Sequence, residues 1–246
     1  AITGAGAVII TALDATTDAD LDGIETDLTI DLGANNVALA ADATLDVATG
    51  KTLTLTSTAG TDYELDVSAI DGVSGGVFTV DGDISVSSET TLKMTAAQAT
   101  SEAITGAGAV IITALDATTD LSGVTATGGV TIDLANTSVE MTSGKIGAAA
   151  LSVNSTGGSA TLDVDGIGAD MAATSIALGT GVTLDATATQ LASKSVTGTA
   201  TVNVSGLESA ASANLSGIAG THTTTASLNA ATAVNLEANL TTVDTL

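Results

Sequence analysis

AITGAGAVIITALDATTD, residues 1–18, recurs without a change at residues 103–120. A degenerate third copy begins at Ser195, where SVTGTATVNVSGL stands against AITGAGAVIITAL. The match continues between these landmarks. Leu28-Thr29-Ile30-Asp31-Leu32 is answered by Val130-Thr131-Ile132-Asp133-Leu134, and Leu65-Asp66-Val67 by Leu162-Asp163-Val164. Ile84-Ser85-Val86 answers to Ile176-Ala177-Leu178, and Leu92 through Gln98 to Leu184 through Gln190. The offset shrinks along the module from 102 to 92, so spacers were lost while the apolar bursts persisted. The chain reads as a tandem array: module 1 at residues 1–102, module 2 at 103–194, and an incomplete module 3 at 195–246.

Each burst alternates apolar and polar residues, as in Thr44-Leu45-Asp46-Val47, Thr52-Leu53-Thr54-Leu55-Thr56 and Val202-Asn203-Val204. Period-two alternation puts Leu, Ile and Val on one face and Thr, Asp and Ser on the other, which is the pattern of a half-buried strand. Gly and Asp punctuate the gaps, as in Asp71-Gly72, Asp81-Gly82 and Asp165-Gly166. The expectation is an ordered, nearly all-β chain. Helical turns are expected only at Thr95–Thr100 and its echo Ala186–Ala192.

Bursts every eight to twelve residues fit two architectures. One is a β-solenoid, in which coils of about three short strands stack on one another. The other is a string of immunoglobulin-like β-sandwiches. A sandwich core relies on large aromatics, and this chain has one Phe, one Tyr and no Trp. A solenoid core is narrow and takes stacked Val, Ile, Leu and Ala. The absence of Pro also favours coils, where nearly every backbone N–H has a ladder partner. A β-solenoid is the expected fold. No polar capping repeat is recognisable, so the sequence leads us to expect either a segment of a longer chain or ends closed by neighbouring copies.

Composition removes several classes of function. Four Lys stand against 28 acidic residues, Arg is absent, and the net charge is −24. Such a chain lacks the cations needed to displace counterions from phosphate backbones, so nucleic acid is not an expected partner. With no Cys, disulfide frameworks and cysteine–zinc folds are impossible. No unbroken apolar run reaches the length of a membrane span.

Catalytic signals are sparse. His222, the single His, lies in the polar stretch Gly220-Thr-His-Thr-Thr-Thr225 and reads as a solvated loop residue. Paired carboxylates do serve sugar-cleaving solenoid enzymes, but such sites add Arg and aromatics that this chain lacks. No enzyme is expected.

Calcium is the stronger chemical expectation. Asp18, Asp20 and Asp22 before Gly23 read D-x-D-x-D-G, the first half of a calcium loop. The position of the bidentate Glu falls on Thr29, and the second copy keeps only Asp120 of the motif, so a solvated acidic turn remains the alternative. Acidic residues two apart, Asp62, Glu64 and Asp66 or Asp163 and Asp165, share a strand face and repel one another unless screened. Asn136, Asn154, Asn203, Asn214 and Asn239 begin N-x-Ser/Thr triplets, which permits glycosylation without indicating it.

Repeats such as AITGAGAVIITALDATTD, VTGTATVNVSGL and TAAQAT resemble those of bacterial surface-layer proteins and giant repetitive adhesins. The resemblance is one of composition and repeat, and it covers the whole chain. It implies an exported, calcium-stabilised β-solenoid at the bacterial cell surface. The implied function is self-assembly into a surface layer, filament or matrix fibre, with a passive adhesin stalk as the alternative. The implied partners are copies of the chain joined head to tail, flanking repeats of a longer chain, and cell-surface glycans.

Overall fold

A computed structural model describes residues 6–11, 13, 20–58, 60–148, 150–207, 215–219 and 223–226. The chain winds as a parallel β-solenoid of stacked coils, about eight turns in all. Parallel, in-register pairing of successive coils sets aside the sandwich, whose strands run antiparallel. Packing divides the chain into two compact units, Ala1–Thr113 with Asp120–Val130, and Ala114–Thr119 with Thr131–Leu246. The modules of the sequence are periods of composition and describe a different property.

In the first unit the coils lay their strands on three faces. One face stacks Asp20–Ile24, Thr44–Val47 and Val77–Val80. The second stacks Val8–Thr11, Leu28–Asp31, Thr52–Thr56, Asp83–Val86 and Ala103–Thr105. The third stacks Val37–Ala38, Tyr63–Asp66, Thr90–Thr95 and Ala109–Thr113. In the second unit, Ala150–Asn154, Ser175–Leu178 and Ser195–Gly198 form one stack. Val139–Glu140, Ala160–Asp163, Val182–Thr187, Thr201–Ser205 and Thr223–Ala226 form another.

The alternation in sequence becomes columns in space. Leu28, Leu53, Ile84 and Ile104 are register partners, and all are fully buried. Leu65, Leu92 and Val110 form a second column, and Leu162, Leu184 and Val202 a third. Burying each such side chain contributes about 1.5–3 kcal/mol. The columns are one aliphatic side chain wide, so the core closes without aromatics. Thr29, Thr54 and Ser85, at the alternate positions, form an outward row.

The two expected helical turns are present and alike. Ala96–Ala99 and Ala188–Leu191 each follow a six-residue strand and open with a capping box. Thr95 Oγ1 accepts from the Gln98 N–H at 3.2 Å, while Gln98 Oε1 accepts from the Thr95 N–H at 2.8 Å. Gln98 Nε2 then donates across to the carbonyls of Val67 and Ile70 at 2.8 and 3.1 Å. In the second turn Gln190 Nε2 donates to the Val164 carbonyl at 2.5 Å, and Gln190 is buried. One glutamine thus closes a helix start and ties it to the preceding coil.

Candidate functional site

Of the three residues read as a calcium half-loop, Asp18 lies outside the described residues, as does His222. Asp20 and Asp22 lie exposed on the Asp20–Ile24 strand, and the Asp22 N–H donates to Asp20 Oδ1 at 3.3 Å. No group of three or more His, Cys, Asp or Glu among the described residues is placed to hold a metal ion. No described helix is long and apolar enough to cross a membrane.

One role of the carboxylates is visible in their hydrogen bonds. Asp31, Asp66, Asp133 and Asp163 each end a strand, and each accepts the N–H two residues on at 2.9–3.0 Å. Asp71 and Asp116 make the same bond at turns, and Asp120 makes it from the Asp120–Leu121 strand, at 2.8–2.9 Å. This is the Asx turn, in which a short carboxylate bends the chain by capping its own backbone. Bonds to the Ser74 and Val73 N–H groups hold the Asp71 carboxyl below the usual carboxylate range, and the Thr118 N–H does the same for Asp116. The excess of Asp over Glu follows, since Glu is one methylene too long for this turn. The Asp-x-Gly and Asp-x-Ser spacings carried this signal in the sequence.

The most informative cluster sits at equivalent corners of modules 1 and 2. In module 1, Lys93 and Asp66 are register partners on adjacent coils, joined by a 2.6 Å ion pair. Lys93 Nζ meets Oδ2, and Ser68 donates its N–H at 2.9 Å and its hydroxyl at 2.6 Å to the other oxygen, Oδ1. Burial raises the Asp66 carboxyl, but Lys93 and Ser68 outweigh it and hold Asp66 below its ordinary value.

In module 2 the residues answering Asp66, Ser68 and Lys93 are Asp163, Asp165 and Asp185. Asp163 and Asp185 are register partners, and Glu140 is the register partner of Asp163 on the other side. The Asp165 N–H donates to Asp163 Oδ1 at 3.0 Å, and Ser205 Oγ donates to Asp165 Oδ2 at 2.7 Å. Asp165 Oδ1 is buried with no partner. Asn203 Nδ2 donates to Asp185 Oδ1 at 2.7 Å. Burial raises the Asp185 carboxyl, Asn203 opposes this, and the charges of Asp163 and Asp165 push it further up. The Lys-to-Asp exchange lies open in LKMTAAQ against LDATATQ, but sequence alone does not say which carboxylate faces it.

Two further groups are displaced from their ordinary values. Burial, helped by the charge of Asp81, raises the Glu102 carboxyl. Burial lowers the Lys194 ammonium, whose Nζ donates to the carbonyls of Met171 and Ala173. Shallow grooves flank both helical turns, the first lined by Ile70, Phe78 and Gln98 and the second by Met171, Gln190 and Lys194. Searches for similar proteins return no matching family model, no curated protein and no solved structure.

Proposed function

We propose that this chain is an extracellular structural protein that self-assembles outside the bacterial cell into a surface layer, filament or matrix fibre. Divalent cations, calcium above all, screen its acidic surface in that assembly. The observation that carries this reading is the repeated coil step. Thr90–Thr95 seats Ala109–Thr113 in one unit just as Val182–Thr187 seats Thr201–Ser205 in the other. A body built by adding like coils is built to accept another like coil at its edge, and an edge contact that does not close on itself propagates. The net charge of −24 opposes association at low ionic strength, and the carboxylate row of module 2 concentrates that repulsion.

Electron microscopy of the purified chain with calcium and with EDTA tests the proposal. Regular sheets or filaments in calcium, dispersing in EDTA together with a lower melting temperature, are the expected result. Monodisperse particles at every calcium level would replace this reading with that of a stalk.

A further inference from the structure

Just past each helical turn the two modules carry ionisable side chains of opposite sign. Glu102 follows Ala96–Ala99, and Lys194 follows Ala188–Leu191 at the answering position. The backbones there match. Ser101 and Ser193 both take the left-handed conformation, at φ 68° and 62°. The Glu102 N–H then donates to the Ala99 carbonyl at 3.2 Å, and the Lys194 N–H to the Leu191 carbonyl at 3.1 Å. Both side chains are half-buried, and burial pushes both towards neutrality: the Glu102 carboxyl rises and the Lys194 ammonium falls. The position favours an uncharged group whichever sign the sequence puts there.

Hydrogen-bond capacity at Lys194 gives the same answer on geometry alone. Lys194 Nζ donates to the Met171 carbonyl at 3.2 Å and to the Ala173 carbonyl. An ammonium has three N–H donors, whereas a neutral amine has two and a lone pair in place of the third. The two carbonyls therefore satisfy the neutral amine completely, and the ammonium keeps one N–H with no protein acceptor among the described residues. No described carboxylate pairs with Lys194 either, although the chain carries 28 acidic residues. Lys194 also lines a groove of about 270 Å³, together with Met171, Thr187, Thr189 and Ala192. The amine thus borders a space that a small molecule can enter.

The geometry points to Lys194 as a nucleophilic amine that captures a small aldehyde entering this groove. The lone pair that the two carbonyls leave unused attacks the aldehyde carbon and forms the Nζ–C bond. The aldehyde oxygen then leaves as water, carrying both amine hydrogens, and an imine remains. The step needs no oxidant or reductant, and it reverses when water adds back. A lysine taken partly out of water suits it, because such an ammonium gives up its proton readily. Glu102 has no nucleophilic nitrogen, so the equivalent corner of module 1 cannot perform this step.

Reductive trapping of the intact chain with propanal and cyanoborohydride, read by peptide mapping in a mass spectrometer, follows each lysine separately. Lys194 should be labelled several-fold faster than the exposed Lys145 at pH 7. That lead should shrink as the pH approaches the ordinary lysine value of 10.5, where every amine is increasingly neutral. The Thr189→Trp chain narrows the groove from an exposed position. It should lose several-fold in rate at Lys194 while Lys145 keeps its own rate. Labelling of Lys194 no faster than that of Lys145 at pH 7, or a lead that persists unchanged at high pH, would overturn the inference. So would a Thr189→Trp chain with parental circular dichroism that reacts at Lys194 as fast as the parent does.

Discussion

The corner built by Asp66, Ser68 and Lys93 and the corner built by Asp163, Asp165 and Asp185 occupy the same place in two modules. Both end a strand with an Asx turn, and both lie beside a strand that runs into a capping-box helix. Behind both, a leucine pair is fully buried in register, Leu65 with Leu92 and Leu162 with Leu184. They differ in what faces outward. Module 1 sets a cation across from its carboxylate, and module 2 sets a second carboxylate there. The inward residues specify the coil, and the outward residues are free to reverse charge without changing it. In a parallel in-register stack an outward reversal acts on the coil above and below, so it spreads along a column.

The predictions run from the shared core to the divergent surface. Leu92→Ala and Leu184→Ala should each destabilise by about 2–5 kcal/mol, the usual cost of a buried leucine cavity. Denaturant unfolding of the two variants checks whether the inward halves of the corners are equivalent; a loss below about 1 kcal/mol in one alone would break that equivalence.

Next comes the charge swap. Lys93→Asp copies module 2 into module 1, removing the partner of a half-buried carboxylate, and should cost about 1 kcal/mol at neutral pH. Asp185→Lys copies module 1 into module 2 and should stabilise by up to about 1 kcal/mol, less at high salt. Equal effects of the same sign would mean that the facing charge does not matter.

The caps follow. Thr95→Ala and Thr187→Ala remove the same helix-start acceptor and should each cost about 1 kcal/mol. Circular dichroism melting of the pair would expose any difference between the two helical turns.

The smallest effect is the pH dependence of the corners. Asp66 has a lowered folded value, so its stabilisation is present above the ordinary carboxylate value of 3.8 and is lost as the pH falls through the folded value. Asp185 has a raised folded value, so the folded state holds its proton more tightly than the unfolded chain does. Its penalty is present at neutral pH and is relieved as the pH falls through the raised value towards 3.8. Asp185→Asn should therefore stabilise the chain at pH 7 and make little difference below pH 3.8. Melting temperatures of variant and parent across that range report it.

Much of the fold was legible because period-two alternation in Leu28–Asp31 or Thr52–Thr56 maps directly onto a buried face. The stacking of Leu28, Leu53, Ile84 and Ile104 was not, because uneven spacers separate them and only closure of each coil decides which residues meet. TAAQAT and its echo were readable as helical turns, since Thr and Gln three residues apart make a capping box from local contacts alone. The reach of Gln98 and Gln190 to the previous coil was not readable. The carboxylates were harder still. Asp residues two apart in sequence invite a cation, yet an Asp also bends the chain by bonding to the N–H two residues on, as Asp20 and Asp163 do.

In-register coils bring Lys93 onto Asp66 and Asp185 onto Asp163. Carboxyl-carbon NMR titration of the intact chain measures it directly. The prediction is that Asp66 titrates below the ordinary carboxylate value and Asp185 above it in the same sample. If the two titrate together in the ordinary range, or in the opposite order, the register that sets these charges face to face is wrong.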